Sequence, residues 1–105
     1  YSHTITVYNR EFELVKTISD QIDLSKYGHT EESNTHQGSP VEAAFSHNGK
    51  YAWVSNYQMY GKSFNNPGSD QCSPSSNHDH SFLYRINTEN LSIENVIKVG
   101  SVPKF

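Results

Sequence analysis

Residues 41–57, VEAAFSHNGKYAWVSNY, constrain the fold most, because they set Asn48-Gly49 between two runs that alternate at the period of a β-strand. Asn-Gly is the strongest short-range hairpin signal, since both residues reach positive φ at little steric cost. Val41, Ala43 and Phe45 are expected on one face, Ser46-His47-Asn48-Gly49 turns, and Ala52 and Val54 then alternate with Tyr51 and Trp53. The flanking segments read the same way. Residues 3–9 place Ile5 and Val7 on one side and Thr4, Thr6 and Tyr8 on the other, and residues 12–18 group Phe12, Leu14 and Lys16, so the two runs form an antiparallel hairpin. Residues 81–87 and 91–99 form another.

Two connections between these hairpins are long. Residues 19–38 are polar, with Asp20, Asp23, Glu31 and Glu32, and read as an inserted loop holding one weak helical stretch over 20–27 that Ser19 or Asp20 caps. Residues 57–80 are rich in Asn, Ser, Gly and Pro and carry the single Cys. Connections of that length are usually functional or disordered. A composition with 33% hydrophobic and 18% charged residues implies a thin core, and seven Tyr among Thr, Ile and Val favour strands, so an all-β chain is expected. The net charge of -3 supplies no basic stripe to neutralise phosphates, which argues against a nucleic-acid partner. No apolar run approaches the roughly 20 residues of a membrane-spanning helix, so no membrane span is expected.

An internal repeat organises these pieces. Phe12-Glu13-Leu14-Val15-Lys16-Thr17-Ile18 aligns with Leu91-Ser92-Ile93-Glu94-Asn95-Val96-Ile97, each preceded by a strand ending in Asn (Asn9, Asn87) and a polar turn. Gly38-Ser39-Pro40 recurs as Gly100-Ser101-Val102-Pro103. The two recurrences differ in spacing because the connection at 19–37 is longer than its counterpart at 98–99. The repeated unit is four strands, and without most of the 57–80 loop it amounts to about 40 residues, the period of a propeller blade.

The motifs resemble those of the YVTN-type β-propeller repeats of bacterial and archaeal extracytoplasmic and surface proteins. Phe45-Ser46-His47-Asn48-Gly49-Lys50-Tyr51-Ala52-Trp53-Val54-Ser55-Asn56 is similar to the family's SPDGKYVYVTN hairpin. Tyr84-Arg85-Ile86-Asn87-Thr88 resembles its VIDT strand and turn, and Ile97-Lys98-Val99-Gly100-Ser101-Val102-Pro103 resembles its IPVGxxP blade exit. The departures are His47-Asn48 in place of Pro-Asp, and the two long loops. The resemblance implies all-β blades of four antiparallel strands within a single propeller domain: residues 1–18 as the last two strands of one blade, 39–100 as a complete blade with 57–80 inserted, and 101–105 as the start of the next. It implies an extracytoplasmic setting, whether periplasmic, secreted or cell-surface. Because the chain begins and ends within strands, it is expected to be part of a longer protein and to be ordered only with the remaining blades as partners.

Candidate chemistry concentrates in the second loop. His78-Asp79-His80 puts two imidazoles at alternate positions, which in an extended strand share a face and can begin a zinc or similar site. His3, His29 or His36 can supply a third ligand if the first loop folds toward the second; the competing reading is a polar loop end with exposed histidines. Asp70 with Asn65, Asn66 and Ser69 offers oxygen ligands for calcium, without the DxDxDG register, or is simply solvated. A divalent metal is therefore an option and no cofactor is firmly implied. Cys72 is either a buried or free thiol or, as the extracytoplasmic reading favours, half of a disulfide with a partner outside this chain; as a nucleophile beside His78 or His80 it lacks any surrounding signature. Tyr51 and Trp53 are expected to pack between blades, whereas Tyr57, Tyr60 and Phe64 can stack on a glycan, grip a protein, or pack within their own loop. Asn90-Leu91-Ser92 fits a glycosylation pattern that is too common to weigh much. Two functions follow: a non-catalytic binding or scaffold module engaging protein or glycan through loops 19–37 and 57–80, or a propeller hydrolase or oxidoreductase with a metal held partly by His78 and His80.

Overall fold

The computed structural model describes residues 3–29, 35–36, 38–57 and 81–100, which are strands and turns apart from one short 3-10 turn. Strand β1 (Thr4–Tyr8) pairs antiparallel with β2 (Leu14–Ser19), and β3 (Ile22–Asp23) with β4 (Thr35–His36). Strands β5 (Ser39–Phe45), β6 (Tyr51–Tyr57), β7 (Ser81–Asn87) and β8 (Ser92–Val99) form a four-stranded antiparallel meander in chain order.

The β5–β6 turn falls where Asn48-Gly49 places it, with one difference. Only Gly49 has positive φ, at 70°, so the loop is a wider turn and not a two-residue one. The Gly49 N–H donates to the Ser46 carbonyl at 2.9 Å, and the Ser46 N–H to the Tyr51 carbonyl at 2.9 Å. Asn48 contributes through its side chain, whose Oδ1 accepts the Lys50 N–H at 3.0 Å and the Ser46 hydroxyl at 2.9 Å. Thr88 then ties this turn to the β7–β8 turn, its hydroxyl donating to the Gly49 carbonyl at 2.7 Å. Pro40 lies inside β5, which is an edge strand with a register shift between Pro40 and Ala43; an edge is where a residue lacking an N–H is tolerated.

The described part of the segment expected to be an inserted loop contributes to the core. Ile22 and Leu24 are buried, and the helical stretch shrinks to the 3-10 turn Leu24–Tyr27. Neither Ser19 nor Asp20 caps it. Asp23 does, accepting the Ser25 N–H at 3.0 Å and hydroxyl at 2.6 Å, which holds its carboxyl below the ordinary 3.8. Gly28, at φ 87°, ends the turn in the left-handed conformation. Phe12, expected inside the second strand, instead stands in the β1–β2 turn at φ 61° and 88% exposed.

One layer of apolar side chains joins these parts. Burial alternates along β7, with Phe82, Tyr84 and Ile86 inside and Leu83 and Arg85 half-exposed. The inner face of the sheet, with Val54, Phe82, Tyr84, Ile86 and Val96, packs against Ile18, Ile22 and Leu24, while Ile5 and Ile93 bridge the two clusters. The β1–β2 hairpin and the 3-10 turn are therefore a lid on one face of the meander. Each fully buried aliphatic or Phe side chain there contributes about 1.5–3 kcal/mol.

The lid hairpin and the last hairpin of the sheet share their strand register, with the turn one residue longer in the latter. In β1–β2, Ile5 faces Ile18, Thr6 faces Thr17 and Val7 faces Lys16; the register then slips and Tyr8 faces Leu14. In β7–β8, Leu83 faces Ile97, Tyr84 faces Val96 and Arg85 faces Asn95; the register slips at the same step and Ile86 faces Ile93. Each turn is closed by a positive-φ residue that is not glycine: the Phe12 N–H donates to the Asn9 carbonyl at 3.1 Å, and the Leu91 N–H (φ 56°) to the Asn87 carbonyl at 2.8 Å. Both asparagines also accept a turn N–H on Oδ1, from Glu11 at 2.9 Å and from Glu89 at 2.8 Å.

Candidate functional site

The best-built polar cluster lies where chain leaving β2 meets β5, β6 and β7. Asp20 follows β2 and is fully buried. Its Oδ2 accepts the Gly38 N–H at 3.0 Å and the Asn56 side-chain amide at 3.3 Å. His3 Nδ1 lies 2.7 Å from the Gly38 carbonyl oxygen, which can only accept, so that nitrogen carries a proton; it stands 3.6 Å from Asp20 Oδ2. The Asp20 carbonyl accepts the Tyr84 hydroxyl at 2.8 Å, and the Asp20 N–H donates to the His3 carbonyl at 3.0 Å. Burial first, and then the Asp20 charge, push the Tyr84 phenol far above its ordinary 10.0. Among the described residues Asp20 Oδ1, Asn56 Oδ1 and Ser39 Oγ are buried with no hydrogen-bond partner.

This centre joins positions 3, 20, 38, 56 and 84 in one network. With Asp20 and Asn56 at 0% exposure, no substrate reaches the carboxylate, so its role is to clamp the lid to the sheet. Sequence reasoning missed it: Asp20 carried only a cap signal, and Asn56 sat at the border of a loop. Among the described residues no group of three or more His, Cys, Asp or Glu is placed to hold a metal.

The outer face of the sheet has a different character. The Arg85 guanidinium lies 4.7 Å from the Tyr51 ring centroid and 5.8 Å from that of Trp53, with Nε 3.7 Å from a Glu94 carboxylate oxygen. Tyr51, Trp53, Leu83 and Arg85 are half-buried there, and Ile97 is exposed. Sequence reading expected Tyr51 and Trp53 to pack between blades; among the described residues they stand half-buried on this outer face beside Arg85.

Of the residues singled out for chemistry, Tyr60, Phe64, Asn65, Asn66, Ser69, Asp70, Cys72, His78, Asp79 and His80 lie outside the described residues, and Tyr57 ends β6 opposite Ser39. His36 lies in β4. His3 and His29, considered as further metal ligands, each point a ring nitrogen at a backbone carbonyl: His29 Nε2 is 2.7 Å from the Val96 oxygen. Asn90 is exposed in the β7–β8 turn, its Oδ1 accepting the Ser92 N–H at 3.1 Å and hydroxyl at 2.7 Å. Among the described residues no helix is long and apolar enough to cross a membrane. Compared with protein-family models, curated proteins and solved structures, the chain matches none of them.

Proposed function

We propose that the chain is a segment of a YVTN-type β-propeller in an extracytoplasmic protein, serving as a non-catalytic scaffold that presents loops to a protein or glycan partner. One observation carries the reading: a four-stranded meander in chain order is covered on one face by a hairpin with the register, slip and turn chemistry of the meander's own last hairpin. A unit whose closing hairpin packs on the face of the next unit is the arrangement by which propeller blades stack. In this reading β5–β8 is one blade, β1–β2 belongs to the blade before it, and the outer face with Tyr51, Trp53 and Arg85 awaits the blade after it.

A scaffold is favoured over an enzyme because the buried Asp20 network has no access for a substrate, while the recognition surface falls to the 57–80 loop with Tyr57, Tyr60 and Phe64. Elemental analysis of the purified protein, alone and as the His78→Ala, His80→Ala double variant, tests this. The expected result is no stoichiometric metal in either. A zinc or calcium ion bound one to one in the parent and lost in the variant would overturn the non-catalytic reading and restore the metal enzyme.

A further inference from the structure

The β7–β8 turn carries Asn90-Leu91-Ser92, a pattern too short to weigh by itself, and the fold gives it a setting. Asn90 is exposed in the turn, and Ser92, also exposed, opens β8. Between them Leu91 is half-buried at φ 56° and lines an apolar depression with Tyr8, Phe45 and Thr88. Leu91 therefore anchors the turn while its two polar neighbours stay in water. Among the described residues, Asn9, Asn48, Asn87 and Asn90 each accept on Oδ1 the N–H two positions on, at 2.9, 3.0, 2.8 and 3.1 Å. The residues in that position are Glu11, Lys50, Glu89 and Ser92, so Asn90 alone of these has a hydroxyl there. Ser92 Oγ donates to the same Asn90 Oδ1 at 2.7 Å. Asn90 Nδ2 makes no hydrogen bond among the described residues, whereas Asn9 Nδ2 donates to a Glu13 carboxylate oxygen at 3.3 Å.

We propose that Asn90 is an N-glycosylation site, whose Nδ2 takes an oligosaccharide from a lipid diphosphate donor. The inference rests on the extracytoplasmic reading, because N-linked glycans are added to chains that leave the cytosol. In the transfer, Nδ2 forms a bond to C1 of the first sugar and the bond from C1 to the phosphate oxygen breaks. The lipid diphosphate leaves with that electron pair, and the proton that Nδ2 gives up passes to a base of the transferase. The two hydrogen bonds already on Oδ1 stabilise the negative charge that builds there as the proton departs. The location suits the rest of the molecule. Thr88 ties the β7–β8 turn to the β5–β6 turn, so both lie at one end of the sheet, while the 57–80 connection joins β6 to β7 at the other. With β7 seven residues long, the glycan stands about 20 Å from the recognition loop. It leaves from the strand ends, so the sheet faces on which blades stack stay clear.

Peptide mass spectrometry tests it in two samples. One is the full chain directed by a leader peptide through an N-glycosylating secretory pathway. The other is the native protein, captured by antibody from the cytosolic and extracytoplasmic fractions of the cells that make it. Trypsin, cutting after Arg85 and Lys98, releases residues 86–98 as one peptide that contains Asn90. Most copies of that peptide should carry an added oligosaccharide mass in both samples. In the secreted chain, Ser92→Ala should lower the occupied share at least about tenfold and Asn90→Gln should abolish it, while Ser92→Thr, which keeps the hydroxyl, should not lower it. A bare peptide in the secreted chain or in native protein from the extracytoplasmic fraction, or occupancy unchanged by Ser92→Ala, overturns the site and leaves the extracytoplasmic setting standing. Recovery of the native protein from the cytosol alone overturns that setting, and the modification with it.

Discussion

Asp20 concentrates more structural consequence than any other side chain described. Its carboxylate satisfies a backbone N–H from Gly38 and an amide from Asn56, so truncation leaves two buried donors without an acceptor. Each orphaned donor costs roughly 1–3 kcal/mol, and Asp20→Ala is expected to lower unfolding free energy by about 3 kcal/mol, read from the shift of a urea midpoint at constant slope. Tyr84 gives a pH signature. Its folded-state phenol holds its proton well above 10.0, so its contribution is complete below pH 10 and declines above it, where the unfolded chain ionises and the folded chain does not. Tyr84→Phe should cost about 1 kcal/mol at neutral pH and flatten the alkaline limb of a stability profile. None of this was legible in the sequence. A lone Asp after a strand looks like a cap, and its partners stand at positions 3, 38, 56 and 84, which only the tertiary fold assembles.

At the scale of elements the sequence was far more informative, because strands and turns are set by local rules. The period-two alternation located the six longer strands to within about two residues, and Asn48-Gly49 located the hairpin turn. What local rules could not supply was the fate of residues 19–29, where a polar composition hid Ile22 and Leu24, two side chains that pack only because Phe82 and Val96 meet them. Phe12 was misplaced for a related reason: an apolar residue in strand register instead closes a turn at φ 61°. That conformation makes opposite predictions for two substitutions. Gly49→Ala forces a side chain into φ 70° with open space around it, so the cost is backbone strain alone, about 1 kcal/mol. Phe12→Gly relieves such strain at a residue that is 88% exposed, and should raise stability by about 0.5 kcal/mol after the entropy of glycine is counted. Thermal melts of the two variants against the parent check both signs.

For the whole molecule, the hairpins that contain residues 12–18 and 91–97 have matching strand registers, whereas most of the ligand and metal candidates sit in 57–80, outside the described residues. The described surface leaves Phe12, Phe45, Leu14, Tyr8, Val15, Val41 and Ile97 in water, an apolar load that favours association. The direction of that association is restricted. At the outer edge of the sheet, the Tyr27 hydroxyl donates to the Ile93 carbonyl at 3.4 Å and His29 Nε2 to the Val96 carbonyl at 2.7 Å, so two acceptors on β8 are taken. Pro40 and the adjoining register shift interrupt the edge on β5. His29→Ala should therefore raise the rate of thioflavin-positive aggregation severalfold at equal concentration, and Lys26→Ala, on the same turn but exposed, should not. A filament needs two complementary ends on every molecule, one to receive and one to offer. With two β8 acceptors taken and the β5 edge interrupted, neither outer edge of the four-stranded sheet offers a further strand a clean run among the described residues, so growth of that sheet by edge-to-edge addition is opposed.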